Sequence, residues 1–300
     1  MNGRFDCEGA RDVTYSLVAR DAVTGELGVA VQSRAFGTGA GVPWARAGVG
    51  AVATQSFTNR GYGPRGLEMM EAGAAPTDAL AELLAADDLR DFRQVAFLAA
   101  DGRVAAHTGA LCVSEAGHLT GDDFSAQGNM LRTRDVLPAL AETFEKTVGT
   151  LAARLLAALT AAEAAGGDFR GREAAGLIVV PAEASDEPWN DRVFDLRVDN
   201  HAEPLAELGR LHQLAVGYRR RNRIGPGASV EEEIDAAREA RLPDVDIALA
   251  AAFALAHAED LDAAAHYLAP LVAADARWRQ TFDRYERLGV LPPGVVDRLT

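Results

Sequence analysis

Cysteine is nearly absent: Cys7 and Cys112 are the only two in 300 residues. One pair is no disulfide framework, and neither thiol sits in a CxxC or a Cys/His cluster of zinc-ligand spacing. A reducing, cytoplasmic setting is the simplest expectation. Positive charge is also scarce. Lys and Arg total 30 against 44 Asp and Glu, a net charge of −14, and only Arg219, Arg220, Arg221 and Arg223 form a run. That balance argues against a nucleic-acid partner. No apolar stretch approaches the ~20 residues of a membrane span, and "MNGRFDCEGARD" has no apolar core of a signal peptide. The expectation is a soluble, non-exported chain.

Catalytic motifs are thin. His107, His118, His201, His212, His257 and His266 never fall in HExxH or another ligand spacing, and no GxSxG elbow occurs. No metal or cofactor is expected. "GYGPRG", residues 61–66, matches GxGxxG literally. Pro64 removes a donor N–H where a pyrophosphate would need one, so the glycines are read as a loop approaching a ligand or neighbouring backbone.

What the sequence does contain is a series of short apolar runs. Tyr15 to Ala19 and Leu27 to Gln32 flank a Thr-Gly-Glu turn, and Val49 to Ser56 is a third run. A helix is expected over 66–86. Gln94 to Ala100 and Val104 to Thr108 flank Asp101-Gly102, a strong hairpin signal, and Phe124 to Gln127 is one further strand. Helices over about 133–146 and 149–165 precede the buried strand "AAGLIVVPAE". Beyond Pro188 come a strand end, a helix with Pro in its first turn, the polar linker "RRRNRIGPGAS", and an alanine-rich helical segment resembling one tetratricopeptide-like pair. The pattern is α+β, with antiparallel pairing and a helical tail.

Thr14 opens the first strand. A threonine hydroxyl is a poor nucleophile, but as a first residue its own α-amine, of pKa about 7.7–8.0, can serve as base. Standing alone, Thr14 would be an ordinary β-former.

It does not stand alone. "TYSLVARDAVTGELGVAVQS", "GVPWARAGVGAVATQS", "YGPRGLEMMEAG", "RQVAFLAADGRVAAHTG", "SAQGNML" and "GGDFRGREAAGLIVV" occur in order between Thr14 and Asp199. Together they resemble the bacterial family called domain of unknown function 1028, in the N-terminal-nucleophile (Ntn) hydrolase superfamily. "ADARWRQTFDRYERLGVLPP" is similar to a following domain described as peptidoglycan-binding. The resemblance implies a four-layer αββα sandwich over 14–199, a helix and linker over 200–228, and a small all-α domain over 229–300.

It further implies an amidohydrolase acting on a small or peptide-like amide, with Thr14 as nucleophile and Gln55 and Asn129 holding the oxyanion. Asp168 would order the site. Ser16, Gln32, Ser33, Arg34, Ser56 and Gln127 would line it, and Arg170 and Arg172 would grip an anionic substrate. A solvated loop ion pair is the competing reading of 168–172. His107 is read as a structural or outlying hydrogen-bonding residue of the substrate site. Further partners would be a second copy of the chain and a cell-wall fragment.

One feature departs from the family pattern: thirteen residues precede Thr14. Self-cleavage between Val13 and Thr14, translation starting at a GTG codon for Val13, or an inactive member would each account for them. A non-catalytic binding protein using the same cleft is the alternative from another class.

Overall fold

The structure, a computed structural model, describes residues 14–221 and 230–299. The Val13–Thr14 junction, Cys7 and most of the expected linker lie outside the described residues. The chain divides into two compact units between Gly209 and Arg210.

The first unit opens with β1 (Thr14–Arg20) and β2 (Leu27–Ser33), both buried almost throughout. The turn between them forms because the Asp21 carboxylate accepts the Val23 and Thr24 amides at 2.9 Å, while Gly25 adopts φ 74°. β3 (Pro43–Arg46) and β4 (Gly50–Ser56) follow, then α1 (Tyr62–Glu71) and α2 (Pro76–Ala85). The single helix expected over 66–86 is thus two helices. Gly73 at φ 97° ends the first, and Pro76 starts the second at a position needing no amide donor.

β5 (Arg93–Ala99) and β6 (Val104–Thr108) pair around the Asp101-Gly102 turn. β7 (Gly117–Gly121) and β8 (Phe124–Gly128) form another hairpin. α3 (Val136–Lys146), α4 (Leu151–Ala164), β9 (Ala174–Val180) and β10 (Phe194–Val198) complete the sheets. One sheet has six strands in the order β10-β9-β2-β1-β8-β7, the other four in the order β3-β4-β5-β6, and all pairings are antiparallel.

A core of Val18, Leu27, Val29, Val31, Ala51, Ala53, Ala96, Leu98, Ile178 and Val180 joins the two sheets. On the outer side of the smaller sheet, Val52, Val95 and Phe97 pack on Tyr62, Leu67 and Leu80 of α1 and α2. On the larger sheet, Leu151 and Leu155 of α4 lie so close to Gly28 that a Cβ there would meet the Leu155 side chain at 2.8 Å. The "GYGPRG" glycines also have a packing explanation. A Cβ on Gly63 would fall 2.3 Å from the Trp44 ring and one on Gly66 2.4 Å from Phe97, so these glycines bring α1 against side chains.

α5 (Pro204–Arg221) crosses the boundary between units. The second unit adds α6 (Val230–Glu239), α7 (Asp244–His257), α8 (Leu261–Ala274) and α9 (Arg277–Arg287). Ala252, Ala256, Leu268 and Phe282 form its main core, with Trp278 stacked on Phe282 at 5.5 Å. Among the described residues no helix is long and apolar enough to cross a membrane.

Candidate functional site

Strand alternation decides which side chains can meet. In β1, Ser16 reaches Gln55 of β4 across the sheets, whereas Tyr15 reaches Glu163 of α4. Thr14, Ser16 and Val18 therefore face the second sheet. Thr14 is paired with Ser33 and Tyr15 with Gln32, so Ser33 shares the face of Thr14 and Gln32 lies on the helix side. There the Gln32 carboxamide is fully buried, with neither polar atom hydrogen-bonded. Of the adjacent pair expected in the site, only Ser33 is beside Thr14.

Around Thr14 the space between the sheets is polar and closed: Thr14, Ser16, Ser33, Gln55, Gln94, Ser125 and Gln127 are all fully buried. The Thr14 hydroxyl donates to Ser33 Oγ at 3.3 Å, and Ser33 Oγ also accepts the Ala35 amide at 3.0 Å. Two donors hold the Thr14 carbonyl: Gln55 Nε2 and the Asn129 backbone N–H, both at 3.1 Å. Gln55 Oε1 accepts from Ser16 at 2.6 Å, Gln127 Nε2 donates to Ser16 at 2.7 Å, and Ser125 donates to Gln127 Oε1 at 2.8 Å.

Gln94 links these groups. Its Oε1 accepts from Gln55 Nε2 at 2.8 Å and from Asn129 Nδ2 at 2.9 Å. Both hydrogens of Gln55 Nε2 are thereby used, on Gln94 and on the Thr14 carbonyl. Gln55 is consequently a clamp on the strand and not a free oxyanion donor. Asn129 spends one side-chain N–H on Gln94 and keeps the other, and Met130 at φ 48° turns the chain sharply just beyond it.

Asp168 lies where the strands flanking β1 run past Thr14. It bridges to Leu131 beyond β8, and its carboxylate accepts the Arg34 amide beyond β2 at 3.2 Å. The carboxylate also receives the Arg170 amide at 2.8 Å and the Arg170 guanidinium at 3.0 Å. Arg34 pairs with Glu173, and Arg172 pairs with both Glu163 and Glu203. The arginines expected to grip an anionic substrate are engaged by carboxylates of the chain itself.

The Tyr15 hydroxyl donates to Glu163 at 2.7 Å; burial, reinforced by the Glu163 charge, raises its pKa well above the usual tyrosine value.

Ser56 and His107 do not join Thr14. Ser56, at φ 67°, lies against Cys112, whose thiol donates to the Arg93 carbonyl at 3.4 Å. Burial raises the Cys112 pKa, partly offset by the Ser56 hydrogen bond, so this thiol is not tuned as a nucleophile. His107, on β6 opposite Val95, shares the outward face of the smaller sheet, with Nε2 2.9 Å from the Arg90 carbonyl. Among the described residues no group of three His, Cys, Asp or Glu could hold a metal ion.

Sequence reasoning missed Gln94 and Ser125. The signal was available: Gln94 follows the same alternation as the core residues Ala96 and Leu98 along β5, and Ser125 the same alternation as Gln127 along β8.

Comparison with known proteins adds a family and no activity. No curated protein matches the chain. A crystal structure of a protein from Silicibacter pomeroyi, described as DUF1028, shares 32% identity, covering 68% of this chain and 89% of its own, with a TM-score of 0.62. The family match spans residues 14–208 and so begins at Thr14. The chain belongs to the Family of unknown function (DUF1028).

Proposed function

We propose that the protein is an Ntn-type amidohydrolase built as a four-layer αββα sandwich, cleaving the C–N bond of a small or peptide-like amide. The observation that carries this reading is the treatment of Thr14. It is the first residue of a central strand, its carbonyl is clamped by two donors, and its hydroxyl is oriented by Ser33. An ordinary strand residue needs no such set of polar neighbours. The packing of helices outside both sheets and the family match beginning at Thr14 also support it.

In this reading Thr14 carries a free α-amine. The amine takes the hydroxyl proton as Oγ attacks the amide carbonyl, and the remaining Asn129 N–H stabilises the oxyanion. On collapse the C–N bond breaks, the α-ammonium of Thr14 gives its proton to the substrate nitrogen, which leaves as an amine, and an ester remains on Thr14 Oγ. Water, deprotonated by the same α-amine, then attacks the ester, and the α-ammonium passes that proton to the departing Thr14 Oγ as the acid is released. Neither metal nor cofactor enters the scheme.

N-terminal sequencing of the untagged protein and an amide panel test it together. Turnover by a chain beginning at Thr14, lost in Thr14→Ala and partly kept in Thr14→Ser, is expected. Full turnover by Thr14→Ala would sink the mechanism. A binding protein without turnover has one observation in its favour, the commitment of both Gln55 donors. It predicts ligand affinity unchanged by Thr14→Ala.

A further inference from the structure

We infer that Gln94 is the positioning residue of the Thr14 site, acting through Gln55 and Asn129; this rests on the nucleophile reading above. The argument is one of direction. Gln94 Nε2 lies 2.8 Å from the Gly128 carbonyl and 3.0 Å from the Gly117 carbonyl, both of which can only accept. These two contacts fix which end of the Gln94 amide is nitrogen. Its Oε1 must then face Gln55 and Asn129, whose NH2 groups must in turn face it, at 2.8 and 2.9 Å.

Everything downstream follows from that choice. With Nε2 toward Gln94 and the Thr14 carbonyl, Gln55 presents Oε1 to Ser16, which donates to it at 2.6 Å. Ser16 Oγ is thereby left to accept from Gln127 at 2.7 Å, and Gln127 Oε1 to accept from Ser125 at 2.8 Å. Two backbone carbonyls orient five side chains through one glutamine. Reversing the Gln94 amide would set oxygen against oxygen at Gly117 and Gly128, so the arrangement has a single sense. Gln94 is on β5 of the smaller sheet, whereas Thr14 is on β1 of the larger one and Asn129 directly follows its strand β8. The glutamine thus ties the nucleophile's strand to the opposite sheet and sets which Asn129 N–H remains to meet a reacting carbonyl.

The test uses the untagged full chain and an alkyne-bearing β-lactone. Attack by Thr14 Oγ opens the lactone ring and leaves an ester located by peptide mass. At a temperature where all variants are folded, Gln94→Leu should label Thr14 about 10–100-fold more slowly than wild type. Leu98→Ala, on the same strand and face but in the apolar core, should be destabilised yet label at the wild-type rate. Wild-type labelling by Gln94→Leu, or an equal loss in both variants, overturns the inference.

A second readout does not need the reaction: exchange of the Gln55 and Asn129 side-chain amides with solvent, followed by NMR. Gln94→Leu should speed it at least about tenfold by removing the acceptor of one N–H on each amide, while Leu98→Ala leaves their difference from bulk exchange largely intact. Unchanged exchange in Gln94→Leu overturns the positioning role. A wild type unlabelled at Thr14 overturns the nucleophile reading alone.

Discussion

The space between the two sheets has two ends built from the same strands and the same faces. At one end Val18, Val29, Ala51, Leu98 and Ile178 make an apolar core. At the other, Thr14, Ser16, Ser33, Gln55, Gln94, Gln127 and Asn129 make a buried polar network. The change occurs within a few residues along each strand: Val18 gives way to Ser16, Val31 to Ser33, Ala53 to Gln55, and Ala96 to Gln94. Burial alone does not require it, because the apolar solution already works a few ångströms away. A polar end that is fully closed and largely hydrogen-bonded is better explained by what it positions, namely the start of β1.

The largest expected effect breaks the comparison at the polar end. Thr14→Ala should remove amide turnover by more than about a thousandfold while thermal unfolding stays near wild type. The methyl side chain still fits the strand, and the Thr14 carbonyl clamp uses backbone. Parallel activity and unfolding measurements check both halves.

At the apolar end the order reverses. Leu98→Ala should cost about 2–5 kcal/mol in urea unfolding, through lost transfer energy and the cavity left behind. Gln55→Leu should cost less, about 1–3 kcal/mol, since Asn129 still bonds the Thr14 carbonyl and only Ser16 loses its acceptor outright. If Gln55→Leu instead stabilises the protein, the network is a functional device held against stability.

Much of this was legible in the sequence, for local reasons. The Thr-Gly-Glu and Asp-Gly turns announced their hairpins because the necessary positive φ falls on glycine. Edge strands β3 and β7 were not legible: one starts with proline, and the other carries exposed His118, Leu119 and Thr120 between glycines. In the site, Thr14, Ser16, Ser33, Gln55, Gln127 and Asn129 were found and converge. Gln32 was separable in principle, since neighbours in a strand cannot share a face. The carboxylate partners of Arg34 and Arg172 come from distant segments, and no spacing in the sequence could indicate them.

The smallest effect sharpens the comparison by pH. The amide network holds no ionisable side chain of its own, but its flanks do: Gln94 Nε2 lies 3.0 Å from the Thr108 hydroxyl, which lies 2.9 Å from His118 Nδ1, and on the other side stands Asp87. Arg93, next to Gln94, pairs with Asp87 at 2.9 Å, and Asp87 also accepts from the Leu89 amide at 2.9 Å and the Tyr62 hydroxyl at 3.1 Å. Burial alone would raise the Asp87 pKa, but the Arg93 and Leu89 hydrogen bonds outweigh it and hold the carboxyl below its ordinary 3.8. The depressed folded pKa means that the unfolded chain takes up this proton first. The stabilisation is complete above the unfolded value and is lost as pH falls through the folded one. Asp87→Asn should therefore cost about 1 kcal/mol or somewhat more from about pH 5 to 7, and progressively less below about pH 4. Gln55→Leu should show the same cost throughout that range. Urea midpoints of wild type and both variants against pH distinguish the two: a pH-dependent Gln55 cost would mean that an ionisable group, and not neutral amides alone, governs the polar end.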